Sequence, residues 1–167
     1  MPTEVDPGWF PWERRLRGLA FGVIAALVLL GATGVLGVRT SASTASAQGY
    51  DLSVTYARVT RAGLATPFSI VVERPNWADA QTLTLAVTSD YLAIFDDNGL
   101  EPIPVESFNS PEWTTWTYRL PPGESTLRVD LDARLEPAVQ WGRSAEVRVL
   151  SGDEEVVSTR FTTLVMP

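Results

Sequence analysis

The sequence predicts an all-β fold, a two-layer antiparallel β-sandwich, preceded by one N-terminal transmembrane helix. Three observations predict it. Residues 19–38 carry no charge, and apolar and polar residues alternate with period two in segment after segment from Tyr50 to Val165. No long 3.6-residue period competes with that alternation.

Leu19–Val38 holds eleven Leu, Ile, Val or Phe among its twenty residues. As a helix it would reach about 30 Å, the thickness of a bilayer's hydrocarbon core. Arg14, Arg15 and Arg17 precede it, and only Arg39 follows closely. The positive-inside rule therefore predicts residues 1–18 as a short cytoplasmic segment and the C-terminal part as exported. Ala45-Ser46-Ala47 before Gln48 forms an A-x-A-like cleavage site. The run exceeds the roughly 7–15 residues of a signal h-region, however, which favours an uncleaved signal anchor. Arg14-Arg15 does not make a twin-arginine signal, because Arg17 and Gly18 stand where apolar residues are wanted.

Trp9, Trp12 and Leu16 share one helical face beside the three arginines. Aromatic and basic residues there are expected to anchor at the membrane interface. Within the run, Gly22 and Ala26 form a small-xxx-small pair, and Gly31 and Gly34 continue the small-residue pattern. Such residues permit close approach of a second helix. Residues 39–49 are small or polar after Arg39 and read as a tether.

From residue 50 to 167 the alternation defines the strands of one domain. Tyr50, Leu52, Val54 and Tyr56 form the first, and Phe68, Ile70 and Val72 the second after an Ala62-Gly63 turn. Leu83, Leu85 and Val87 form a third. Tyr91–Phe95 is expected as a short edge strand or a helical turn, Asp96–Gly99 as a turn, and the Pro102/Pro104 stretch as extended edge chain. Trp116, Tyr118 and Leu120 mark a strand ended by Pro121-Pro122-Gly123. Leu127, Val129, Leu131 and Ala133 alternate with Arg128, Asp130, Asp132 and Arg134, one face apolar and one charged. Ala145, Val147 and Val149 lead through a Ser151–Glu154 hairpin turn into Val157, Thr159, Phe161, Thr163 and Val165.

Composition excludes several chemistries. The chain has no cysteine, so disulfides, thiolate nucleophiles and Cys-built metal sites are absent. It has no histidine or lysine, the usual bases behind a nucleophilic serine. Gly49–Pro167 carries seventeen acidic and nine basic residues, a net charge of −8, which repels nucleic acid. No nucleic-acid partner, no cofactor and no enzymatic activity are expected.

Three constellations stand out in the sequence. Asp96-Asp97-Asn98-Gly99 lacks the alternating ligands of an EF-hand loop and suits a tight turn better than a cation site. Asp130 and Asp132 are roughly 7 Å apart on one strand face, a separation within the range of a glycosidase pair. Arg128 and Arg134 flank them, so a solvated charge ladder is the simpler account. Trp77, Trp113 and Trp141 are candidates for partner or ligand contact, whereas Trp116 is expected in the core. Trp113 and Trp116 differ by an odd number of positions, so one should face away from the core.

The layout of basic start, single span, small-residue tether and cysteine-free sandwich resembles uncharacterised single-pass bacterial envelope proteins with an immunoglobulin-like domain. Tyr91–Leu100 and Leu131-Asp132-Ala133-Arg134 are the distinctive segments. The resemblance implies an immunoglobulin-like, extracytoplasmic domain anchored in a bacterial cell membrane. The expected function is a non-catalytic membrane-anchored interaction module, an accessory subunit contacting a membrane or envelope protein. The alternative is an envelope carbohydrate-binding module using exposed tryptophans.

Overall fold

The computed structural model describes residues 11–32, 37–74, 81–136 and 142–166. The chain divides into two compact units, Met1–Gly37 and Val38–Pro167. The first contains helix α1, Pro11–Ala32. Pro11 suits a first helical turn, where its missing N–H costs nothing, and the Leu- and Ala-rich body favours helix. Trp12, Leu16, Leu19 and Phe21 on it are exposed.

The second unit is mostly β. Its strands are β1 (Arg39–Ala47), β2 (Tyr50–Arg61), β3 (Ala65–Glu73), β4 (Gln81–Thr88), β5 (Phe95–Glu101), β6 (Glu106–Asn109), β7 (Trp113–Leu120), β8 (Thr126–Leu135), β9 (Arg143–Ser151) and β10 (Glu154–Met166), with a single helical turn α2 (Ser89–Leu92) before β5. They join in one sheet of order β5-β8-β3-β2-β10-β9-β4-β7-β6, with β1 paired to β2 beside this path. All pairings are antiparallel except that of β10 with β2, which is parallel at Leu164–Met166 against Val59–Arg61. That junction welds the two halves, and the sheet curls so that both bury their apolar faces in one core.

Period two does the sorting. On β2, Tyr50, Leu52, Val54 and Tyr56 are buried, and β8 alternates buried and exposed residues from Leu127 to Leu135. Burying a Leu or Val side chain contributes roughly 1.5–3 kcal/mol. Tyr91 on α2 is fully buried, with its ring edge-on to Phe161 at 5.1 Å and to Phe95 at 5.2 Å between centroids. Its hydroxyl hydrogen-bonds that of Thr163 at 3.0 Å. This satisfies two polar groups that would otherwise be buried without a partner.

Several expectations need correction. No helix among the described residues is long and apolar enough to cross a membrane. Of the expected span Leu19–Val38, residues 33–36 lie outside the described residues, and the described helix α1, Pro11–Ala32, includes Glu13, Arg14, Arg15 and Arg17. The expectations that rested on that span fall with it: the signal anchor, the bacterial-membrane location with an exported domain, and the membrane-anchored accessory subunit. Residues 39–47, expected as a tether, form a nine-residue strand in register with β2. Small and Ser/Thr residues pair by backbone as well as any others, and Ser41, Ser43 and Ala45 turn half-buried toward the sheet. The compact unit therefore starts at Val38 rather than Tyr50. Asp96–Gly99, expected as a turn, lies within β5, where the register slips between Asp97 and Leu100.

Candidate functional site

Because the sheet curls without closing, it ends at two strands, β5 on one side and β6 on the other. The chain crosses from one to the other through 102–105. Between them lies a cleft of about 230 Å³ lined by Leu92, Phe95, Leu100, Leu131 and Trp116 with Ser107, Asn109 and Thr114. The apolar wall comes mostly from β5, β8 and α2. The polar rim comes from β6 and β7, because Ser107 lies opposite the buried Trp116 and shares its inward side. Glu106 and Phe108 point the other way, opposite Thr117 and Thr115.

Exposed apolar side chains gather on this stretch of chain. Ile103 is 83% exposed, Val105 66% and Phe108 65%. Beside them, Gly99, Leu100, Glu101, Ile103, Asp130, Leu131 and Asp132 line a shallow hollow of about 480 Å³ on the outer face of β5 and β8. Glu101 sits directly opposite Asp130, a like-charge pair. Arg128 relieves it by donating to Asp130 through Nε at 2.8 Å and Nη2 at 3.1 Å, which holds the Asp130 carboxyl below the usual carboxylate range. Arg134 does not complete the flanking pair; it stands opposite Asp96 on β5.

The two ends of the sheet differ as edges. β5 is interrupted by its register slip and carries exposed Asp96, both features that discourage strand addition. β6 has neither a slip nor a proline, and all four of its residues are exposed.

The outer face of β10, β9, β4 and β7 carries a second polar arrangement. Glu146 accepts from Arg160 at 2.7 Å and from Arg148 at 2.8 Å, and these guanidinium groups, Arg160 first, hold its carboxyl below the usual range. Arg148 lies over the ring of Trp113 at 4.2 Å. Trp113 is thus half-buried on the outer face while Trp116 is in the core, opposite sides as their spacing predicts. Trp113 is stacked on that face by the Arg148 guanidinium.

Of the other sequence candidates, Trp9, Arg14 as a side chain, Gly34, Trp77 and Trp141 lie outside the residues described. Trp12, Arg15, Arg17, Gly22, Ala26 and Gly31 are exposed on α1, and a Cβ at Gly22 or Gly31 would meet nothing within 4 Å. None of the candidates among the described residues lines the cleft. Among the described residues, no three His, Cys, Asp or Glu gather as ligands for a metal ion. Ile103, Val105 and Phe108 drew no attention in the sequence. Their only signal was the Pro102/Pro104 stretch, which marks edge chain.

No family model matches the chain, and no curated protein matches it. Among solved structures it is similar to the Pseudomonas fluorescens alkylpurine DNA glycosylase AlkC bound to DNA containing an abasic site analog, at 14% identity and TM-score 0.36. The match covers 66% of this chain and 28% of the glycosylase, so the chain spans under a third of that protein's length. The expectations of no enzymatic activity, of no nucleic-acid partner and of an envelope module, for protein or carbohydrate, find no support in this match and are not carried further. At this TM-score the likeness assigns neither the glycosylase's activity nor its DNA to this chain.

Proposed function

We propose that the Val38–Pro167 unit is an immunoglobulin-like sandwich that binds an extended polypeptide segment as a strand added to the free edge of β6. The immunoglobulin-like reading is supported by two antiparallel halves over one core, joined where β10 runs parallel to β2. The observation that carries the binding reading is the exposure of Phe108, at 65%, on a terminal strand with no register slip and no proline. Strand addition takes its affinity from main-chain hydrogen bonds and its specificity from alternate side chains. Alternate residues of the guest would enter the cleft against Leu100, Leu131 and Trp116, and the others would lie beside Phe108. Glu106, on the same side of β6 as Phe108, selects a guest whose outward residues are basic and whose inward ones are apolar.

The test is a fluorescence-anisotropy titration of the full chain with a labelled heptapeptide alternating Val and Arg. Saturable binding is expected, weakened at least tenfold by Ser107→Glu, which turns a charge into the cleft, and by Phe108→Glu. A Val/Glu peptide should not bind. Equal binding by both variants, or no binding of the Val/Arg peptide, overturns the reading.

A further inference from the structure

β1 is bound differently from the strands that carry the core. It pairs with β2 in continuous register from Thr40 opposite Ala57 to Ala47 opposite Tyr50, with Arg39 opposite Val59 beyond a register shift, yet none of its nine residues is buried. Only Ala45 touches the core. Its side chains add little more: Ser43 Oγ bonds Thr159 Oγ1 at 2.8 Å and donates to the Arg160 carbonyl at 3.0 Å, and Ser46 donates to Asp51. Backbone pairing therefore holds β1, and side-chain burial hardly contributes. Under β1 the chain has already built its core from Leu52, Val54 and Tyr56, so this strand can leave without opening the interior.

The link between β1 and β2 is two residues long and strained. Gln48 has φ +51° and Gly49 φ +77°. A two-residue hairpin with both central residues left-handed favours Asn, Asp or Gly at the first position, and glutamine is none of these. An open hinge would let Gln48 return to extended backbone. The displaced β1 could then pair with β2 of a second copy, where every register contact re-forms because the partner is identical.

We infer that the edge of β2 is a strand-acceptor site and that a second copy of this chain supplies the strand, Arg39–Ala47, in a domain-swapped dimer. This inference does not depend on binding at β6. Ala42 and Thr55 are register partners on β1 and β2, and the chain has no cysteine of its own, so Ala42→Cys with Thr55→Cys reports the pairing uniquely. The full double variant, kept dispersed in mild detergent, is warmed briefly at low and high concentration, cooled and oxidised. A disulfide-linked dimer is expected on a non-reducing gel, its share rising with concentration. Gly49→Ala, which places a Cβ on a left-handed residue, should raise that share several-fold. Gln48→Gly, which relaxes the turn, should lower it several-fold. Ala42→Cys alone should give no comparable dimer. To guard against a disulfide that distorts the hairpin, two differently tagged cysteine-free chains are mixed and heterodimer is measured in the same two hinge variants. Disulfides formed only within single chains at every concentration overturn the inference. So does a heterodimer yield that is the same in Gln48→Gly and Gly49→Ala.

Discussion

Two residues show how closely the interior is fitted. Gly142 precedes β9, and a Cβ placed on it would run into the Thr163 carbonyl oxygen, with Leu164 Cα at 2.9 Å. Both obstacles are backbone of β10 and cannot swing aside. Gly142→Ala should therefore cost about 1–3 kcal/mol, measured as a lower denaturation midpoint at unchanged slope. Tyr91 is the second. Burial pushes its hydroxyl up from 10.0 to about 12, against the lowering effect of the Thr163 hydrogen bond. The folded state thus holds the Tyr91 proton more tightly than the unfolded chain does. That stability is complete below pH 10 and is lost as pH rises from 10 to 12, a change on the order of 3 kcal/mol for two pH units. Tyr118, also buried and raised to about 12 by desolvation, steepens the same limb. Tyr91→Phe should flatten this alkaline loss in urea titrations from pH 9 to 12. It should also cost about 1–2 kcal/mol at neutral pH, because Thr163 is left buried without its partner.

At the scale of the element, the strands divide into those that carry the core and those that present an edge. Leu85 on β4 is fully buried, whereas Phe108 on β6 is 65% exposed. Leu85→Ala should lose about 2–5 kcal/mol, and Phe108→Lys should stay within about 0.5 kcal/mol of the parent protein in the same unfolding assay. If Phe108→Lys proved as costly as the core change, β6 would be part of the packing and not a free edge. The sequence foretold the core strands well, because period two is written residue by residue in segments such as Leu127–Ala133. β1 was missed for the same reason: Arg39–Ala47 has no apolar alternation, and what makes it a strand is the backbone of β2 beside it. The Asp96–Gly99 segment was misread because Asp, Asn and Gly suit a bulge within a strand as well as a turn.

For the whole molecule, the decisive joint is the short parallel pairing of Leu164–Met166 with Val59–Arg61. It brings together residues about a hundred positions apart, a contact that local sequence does not announce. Removing residues 162–167 would delete Thr163 and Val165 from the core along with this joint. The truncated chain is expected to lose its single cooperative unfolding transition, seen as non-coincident near- and far-ultraviolet circular dichroism. A retained sharp transition would mean that the two halves are held by core contacts alone.

By itself the sequence determined the class of the domain, its core residues, the opposite facing of Trp113 and Trp116, and the absence of histidine, cysteine and lysine chemistry. These are properties of composition and short-range period, which do not depend on what lies across the fold. Only the tertiary structure decided that 39–47 is a strand. It alone brought β5 and β6 together as the two ends of one curled sheet, with a cleft between them. The physical reason is that edges, clefts and strand partners are set by pairing across long separations, and a single strand's residues do not record which neighbour it will meet.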